Sequence, residues 1–180
     1  MTFMVDINFY HFHVNQESKW INYFTEGVAA LNHFDLFDVT SCNSREELCA
    51  MVGLDRNSKA AKPKELWQFR NAQIGDVIFT NKTNDICIGI GIIESNYSYN
   101  LNRNNFRHRR KVKWITKKEF TYNKAKYTEH FKATGKEPYK ELFYAEPFDT
   151  VVAERGIFLL KEYIEKYPEL EALFDKINLL

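Results

Sequence analysis

Residues 75–93 read GDVIFTNKTNDICIGIGII, and the fold turns on how they are read. Gly75–Asp76 is a turn. VIFT (77–80) and ICIGIGII (86–93) are apolar, β-branched runs, and NKTND between them predicts an antiparallel hairpin. Alternation puts Ile86, Ile88, Ile90 and Ile92 on one face of the second run. Cys87, Gly89 and Gly91 share the other, where the missing side chains let backbone or a ligand approach closely. Downstream, FRHRRKVKWI (106–115) predicts the next strand. His108, Arg110, Val112 and Trp114 share one face, and Arg107, Arg109, Lys111 and Lys113 the other. Val112 and Trp114 mark the inward face, so the second set is an exposed cationic row.

Other elements obey the same rules. FMVDINFYHFHV (3–14) is a strand, rich in aromatic and β-branched residues. Asn15 caps a helix over 16–26 that carries Trp20, Tyr23 and Phe24 and stops at Gly27. VAALNHF is a short buried strand. Ser44–Arg45–Glu46–Glu47 is a capping box, opening a helix with Leu48, Met51 and Val52 that ends at Gly53. Pro63 fits the first turn of a further helix in which Leu66 and Phe69 share a face, with Trp67 about a hundred degrees away from Leu66. Residues 116–145 are polar and read as loop with short helical turns. FDTVVAE (148–154) returns as a last strand. Leu159, Leu160, Tyr163, Ile164 and Tyr167 form an amphipathic helix, and Pro168 opens another with Leu170, Leu173, Phe174 and Ile177. The expected fold is α+β, with five or six strands around a small barrel and peripheral helices. A domain over 1–155 with a helical extension over 156–180 packed on it is the expected organisation.

The chain has 180 residues, of which 44% are hydrophobic and 27% charged, which suits a folded domain with its own core. No apolar run is long enough to cross a membrane, and no signal peptide opens the sequence. Cys42, Cys49 and Cys87 have no paired spacing, so reduced thiols in a cytoplasm are expected. The net charge is +1, yet Leu101 to Lys126 holds ten Lys/Arg and one acidic residue. An acidic body with one basic segment points to a polyanion met on one face.

Several chemistries fail on their residues. TGKEP (134–138) lacks both the first glycine and the hydroxyl residue of a phosphate-binding loop. His11 and His13 share a strand face, but no ligand-spaced cluster completes a metal site, so neither metal nor cofactor is expected. Asp6 with Glu17–Ser18–Lys19 has the letters of a metal-dependent nuclease, but a helical first turn would not converge the last two on one ion. By contrast Trp67, Tyr97 and Tyr99 sit beside turns and helix, outside the core periodicity. Aromatic planes near a basic row are the parts needed to stack an unpaired base.

The ordered set ELWQFRNAQIGDVIFTNKTNDICIGIGIIESNYSYN and FRHRRKVKWI resembles the EVE-type, PUA-like domains of McrB-type modification-dependent restriction proteins. The resemblance rests on Trp67, Gly75–Asp76, Gly89–Gly91, Tyr97–Tyr99 and Arg109–Trp114, and spans roughly residues 5–155. The layout is also similar to YTH domains, which read N6-methyladenine in RNA. It implies a PUA-like barrel that takes a modified base, flipped from double-stranded DNA, into an aromatic cage. Trp67 and Tyr97 would be walls, Tyr99 the alternate wall, and Trp20 and Asn8 further pocket residues, with Trp114 in the core. Arg107, Arg109, Lys111 and Lys113 would hold phosphates, and Arg110, although alternation turns it inward, is counted with them. The McrB-type motor is missing, so the chain would be a recognition domain or stand-alone reader in a defence system, serving a motor or nuclease effector. Two alternatives are an RNA-modification reader and an ASCH-like nucleobase hydrolase, the latter using Lys64 and Glu65. A third is a partner-docking domain that uses the C-terminal helices.

Overall fold

The computed structural model describes residues 7–14, 16–133 and 148–176. Its strands are β1 (Phe9–His13), β2 (Val28–Leu31), β3 (Val77–Asn81), β4 (Ile86–Ile93), β5 (Ser98–Tyr99), β6 (His108–Thr116), β7 (Phe120–Thr121) and β8 (Phe148–Val151). Its helices are α1 (Glu17–Glu26), α2 (Arg45–Met51), α3 (Ala61–Asn71), α4 (Lys124–Ala133), α5 (Ala153–Lys166) and α6 (Glu171–Lys176), with a 3-10 turn at Pro168–Leu170. The strands form one curled sheet in the order β2-β6-β4-β3-β1-β8, with β5 pairing β6 and β7 pairing β4. Among the described residues the ladder ends at β2 and β8, so the expected small barrel takes the form of a curled half-barrel, with eight strands where five or six were expected. Among the described strands, β1 and β3 are the one parallel pair. The connection between them carries α1, β2, α2 and α3, as a parallel crossover requires.

The central hairpin is apolar without interruption because both faces of the sheet are covered. Val77 and Phe79 enter a core beneath α4, α5 and α6, with Phe9, Tyr127, Phe158, Leu159 and Tyr163. Ile78 enters a second core beneath α1 and α3, with Phe12, Tyr23, Phe69, Val112 and Phe148. A third, smaller cluster of Val39, Cys42, Leu48 and Leu66 lies between α2 and α3. Gly156 lets α5 settle on β1, since a Cβ there would overlap the Phe9 ring. Residue 155, where the sequence divides domain from extension, lies inside α5.

The expected face of four isoleucines is broken by a register shift at Thr80/Asn81, where Ile88 is the extra residue in β4; a second shift, opposite Ile90/Gly91, puts the extra residue Ile115 in β6. An extra residue in one strand sends the residues after it to the opposite face. Cys87 and Ile90 therefore share the α5-side core, while Ile93 joins the other. The glycines do allow close approach, but protein fills the space. A Cβ on Gly89 would stand 2.7 Å from Phe24 Cζ, and one on Gly91 2.7 Å from Trp114 Cε3.

Local signals hold with small adjustments. Gly27 ends α1 at φ 64°, its N–H donating to Tyr23 O. Ser44 Oγ accepts from Glu47 N at 3.1 Å, but the Glu47 carboxylate accepts from Asn43 N, one residue before the box residue. Gln16 occupies the N-cap of α1 without a side-chain bond. The polar stretch read as loop after 116 contains β7 and α4, whose Tyr127 and Phe131 are buried four residues apart. Residues 3–6, Asn15, 134–147 and Ile177 lie outside the described residues, and the Asp6 and TGKEP readings fall there. None of the described helices is long and apolar enough to cross a membrane.

Candidate nucleic-acid interface

Strand β6 carries the site. Its alternation is as the sequence predicts: His108, Arg110 and Val112 are buried, while Lys111 and Lys113 are exposed. The exposed row nevertheless shortens to these two lysines. Arg109 donates to the Glu26 carboxylate, which also holds Arg103 at 2.8 Å. Arg107 Nε donates to Arg103 O at 2.5 Å, and its Nη1 approaches Asp35 O and Tyr99 Oη at 3.4 Å. Arg110 is a correction. It is 2% exposed, and its guanidinium donates to Phe69 O, Arg70 O and Ser95 O, so it reaches no phosphate. The cation instead caps the carbonyl end of α3, where a positive charge is favourable. Burial brings its pKa down to about 10, which leaves it charged at neutral pH.

The loop before β6 is held in a strained shape. Phe106 sits at φ 52° and Phe34 at φ 55°, a region that bulky residues seldom adopt. Asp35 fastens both turns. Its carboxylate accepts from Phe106 N at 2.6 Å and Arg107 N at 2.9 Å, and its carbonyl accepts from Tyr99 Oη at 2.6 Å. His108 lies beneath. Tyr97 Oη donates to His108 Nδ1 at 2.7 Å, and Nε2–H faces Phe34 O at 3.4 Å. Burial lowers the His108 pKa, consistent with a neutral ring in this role.

So held, Phe106 is half-buried at the mouth between α1 and β6. Its ring meets Tyr23 edge-on at 6.2 Å, and Lys19 Nζ stands 5.2 Å over it. Trp20, one turn of α1 from Tyr23, is also half-buried and tilts against Phe24 at 5.5 Å. Its indole N–H is buried and has no acceptor among the described residues. Phe106 with Lys19 over its ring, and Trp20, are thus half-buried aromatic side chains at this edge.

Of the expected cage residues, Trp67 and Tyr97 share one cluster and Tyr97 and Tyr99 share the His108 ring, whereas Asn8 and Trp20 make their contacts elsewhere. Trp67 and Tyr97 both pack on the Val39–Leu66 cluster, but Arg70 covers the Trp67 ring at 5.1 Å. Tyr97 stacks on His108 at 5.9 Å, and Tyr99 tilts against the same ring at 5.3 Å. Asn8 is engaged elsewhere, with its N–H and Nδ2 donating to Asp76 Oδ1 at the turn before β3. Trp114 is half-buried, its Nε1 donating to Tyr23 O. Trp20, expected as a further pocket residue, lies on α1 beside Phe24. Phe106 and Lys19 are not among the residues expected from the sequence, and Tyr23 is expected only as a helix residue; Phe106 ends an Asn-rich turn directly before the basic strand.

The hydrolase residues diverge. Lys64 pairs with Asp149 at 2.8 Å, while Glu65 is buried against His33 at 2.6 Å. His13 Nδ1 faces Asn81 Nδ2 at 3.0 Å, and no group of three His, Cys, Asp or Glu gathers among the described residues.

A family model described as "Domain of unknown function (DUF8426)" matches residues 11–136. The chain belongs to the DUF8426 family. No curated protein matches its sequence. Among solved structures this DUF8426 chain is similar to the YTH domain of Zygosaccharomyces rouxii MRB1 protein, solved in complex with N6-methyladenosine RNA. The TM-score is 0.50 at 13% identity, covering 87% of this chain and 86% of that one. The Pho92 YTH domain, in complex with m6A, gives 0.49 at 11% identity over 89% and 88%. The Mmi1 YTH domain gives 0.47 at 7% identity over 91% of each. The DUF8426 fold is therefore YTH-like, and no enzyme family appears among these matches.

Proposed function

We propose that this chain is a non-catalytic reader of a modified base in a single nucleic-acid strand, RNA before DNA. The observation that carries the reading is the mouth between α1 and β6, where Phe106 is half-buried against Tyr23 with Lys19 over its ring, and half-buried Trp20 stands one turn of α1 before Tyr23. Stacking one base on an aromatic contributes roughly 1–3 kcal/mol. Removing a base from its stack costs a few kcal/mol in a duplex and least in an unpaired strand. Two rings offset that cost most readily when the strand is already single, which favours RNA over the double-stranded DNA expected from the restriction-protein resemblance. Burying a methyl group adds about 0.8 kcal/mol, enough to select a modified base that is otherwise marginally bound. Lys111 and Lys113 supply sequence-independent attraction to phosphates. The YTH-like fold supports the same reading, since the MRB1 domain was solved with N6-methyladenosine RNA. Three buried free cysteines fit a reducing compartment such as the cytoplasm.

The test is a binding titration at fixed salt. Single-stranded RNA and DNA of one sequence would carry adenine or N6-methyladenine at one position. Duplex DNA would carry cytosine, 5-methylcytosine, 5-hydroxymethylcytosine or N6-methyladenine. Tighter binding to one modified RNA supports the proposal. Tighter binding to a modified duplex restores the DNA reading and its defence role. Equal binding throughout rejects modified-base recognition.

A further inference from the structure

Glu65, one of the two residues of the hydrolase alternative, is 2% exposed on α3, and His33, just beyond β2, is 8% exposed. Their side chains share a hydrogen bond of 2.6 Å between His33 Nε2 and Glu65 Oε2. A carboxylate taken out of water is costly unless a partner meets it, and such a pair adds little net stability over apolar packing. It differs from apolar packing in one respect: a hydrogen bond fixes a distance and a direction. Here it fixes the chain that enters the clamp. His33 directly precedes Phe34, at φ 55°, and stands two residues before Asp35. A bulky residue keeps a left-handed angle only where its surroundings over-determine it. Around this turn they do. The Phe34 side chain packs on the Val39–Leu66 cluster, Phe34 O accepts from Phe37 N at 2.9 Å, and Asp35 O accepts from Tyr99 Oη at 2.6 Å. The Glu65–His33 bond adds an anchor on α3, 32 residues away along the chain. From the turn the path to the mouth is continuous, since the Asp35 carboxylate accepts from Phe106 N and Arg107 N.

We infer that Glu65 and His33 are positioning residues for the mouth. They act through the Phe34–Asp35 turn, which they hold where Asp35 can set the Phe106 backbone. The inference rests on the reader proposal for what the mouth binds, but the clamp itself is readable without a ligand.

The experiment pairs amide exchange with the RNA titration. The Phe106 and Arg107 amides, bonded to Asp35, report the clamp. Glu65→Gln keeps a hydrogen bond to His33 and should match the unaltered chain. Glu65→Leu with His33→Phe replaces both partners by apolar groups, leaves neither of them unpaired and should fold about as stably. It should nevertheless speed exchange at Phe106 and Arg107 about tenfold, while Ile78 in β3 and Ile90 in β4 keep their rates. The same chain should bind the preferred modified strand about fivefold more weakly, whereas in a Phe106→Ala background the double change should cost less than about twofold. Unchanged exchange at Phe106 and Arg107, an equal rise at Ile78 and Ile90, or equal binding losses in both backgrounds overturns the inference. So does a double variant that fails to fold, which would make the pair a general structural bond. Failure of the reader proposal is a separate readout, equal binding of modified and unmodified strands by the unaltered chain. In that case amide exchange still decides whether the pair holds the clamp.

Discussion

The core beneath α5 and the mouth at Phe106 are built from the same residue types and treat them in opposite ways. Beneath α5, Phe79 stacks on Phe9 at 6.0 Å, Tyr163 packs on Phe120 at 4.6 Å, and all four rings are buried. At the mouth, Phe106 and Trp20 are half-buried, a backbone strain is held in place, and a cation stands close by. The difference shows that aromatic content alone locates no binding surface. A ring becomes available to a ligand where the backbone turns it out and a polar clamp keeps it there.

Truncating one ring in each region puts that difference under the greatest load. Phe79→Ala should cost about 3–5 kcal/mol of stability, read by denaturant unfolding, with base preference intact in the folded fraction. Phe106→Ala should cost under about 1 kcal/mol of stability but about 1–3 kcal/mol of binding to the preferred strand. Similar stability losses at both positions would make the mouth ordinary core. The arginines and lysines of β6 give the next contrast. Arg110→Met leaves three carbonyls without their donor and should destabilise by about 2–3 kcal/mol, with the salt dependence of binding unchanged. Lys111→Ala with Lys113→Ala should leave stability within about 0.5 kcal/mol and flatten the salt slope by about one to two units.

Acid offers a gentler probe. Burial lowers the pKa of both His108 and His13 from 6.5. Between those lowered values and 6.5 the unfolded chain binds more protons than the folded one. Stability is therefore complete above pH 6.5 and declines as pH falls through that window. His108→Gln should remove part of the slope, measured as the denaturation midpoint between pH 7.5 and 5, and an unchanged slope would assign it to other groups. Glu26 should give the mildest response. Glu26→Gln releases Arg103 and Arg109 towards phosphate and should raise affinity for every strand roughly two- to fivefold in the same titration, in line with the modest worth of exposed ion pairs.

Much of the scaffold was legible because it obeys local rules. The hairpin at 77–93, the stop at Gly27, the cap at Ser44 and the alternation of 108–113 each depend on a few adjacent residues. The bulges were not legible, since an extra residue in β4 or β6 matters only against the partner strand. Helix α4 was hidden because Tyr127 and Phe131 are its only described buried residues, set among polar neighbours. The site was half visible. The basic strand stood out, but Arg110, Arg109 and Arg107 look alike in sequence and differ only in which carbonyl or carboxylate each meets. Phe106 depends on Asp35, 71 residues away. No periodicity reports a distant carboxylate that fixes a backbone angle.

The left-handed turn at Phe106 has a consequence for how this sequence can drift. Glycine or asparagine would relax the backbone there, so under selection for folding alone the position would leave phenylalanine behind. The clamp at Asp35 would then lose its purpose, and its own replacement would come next. In a library sorted first for thermal robustness and then for ligand capture, positions 106 and 35 are where the two winning populations should part company.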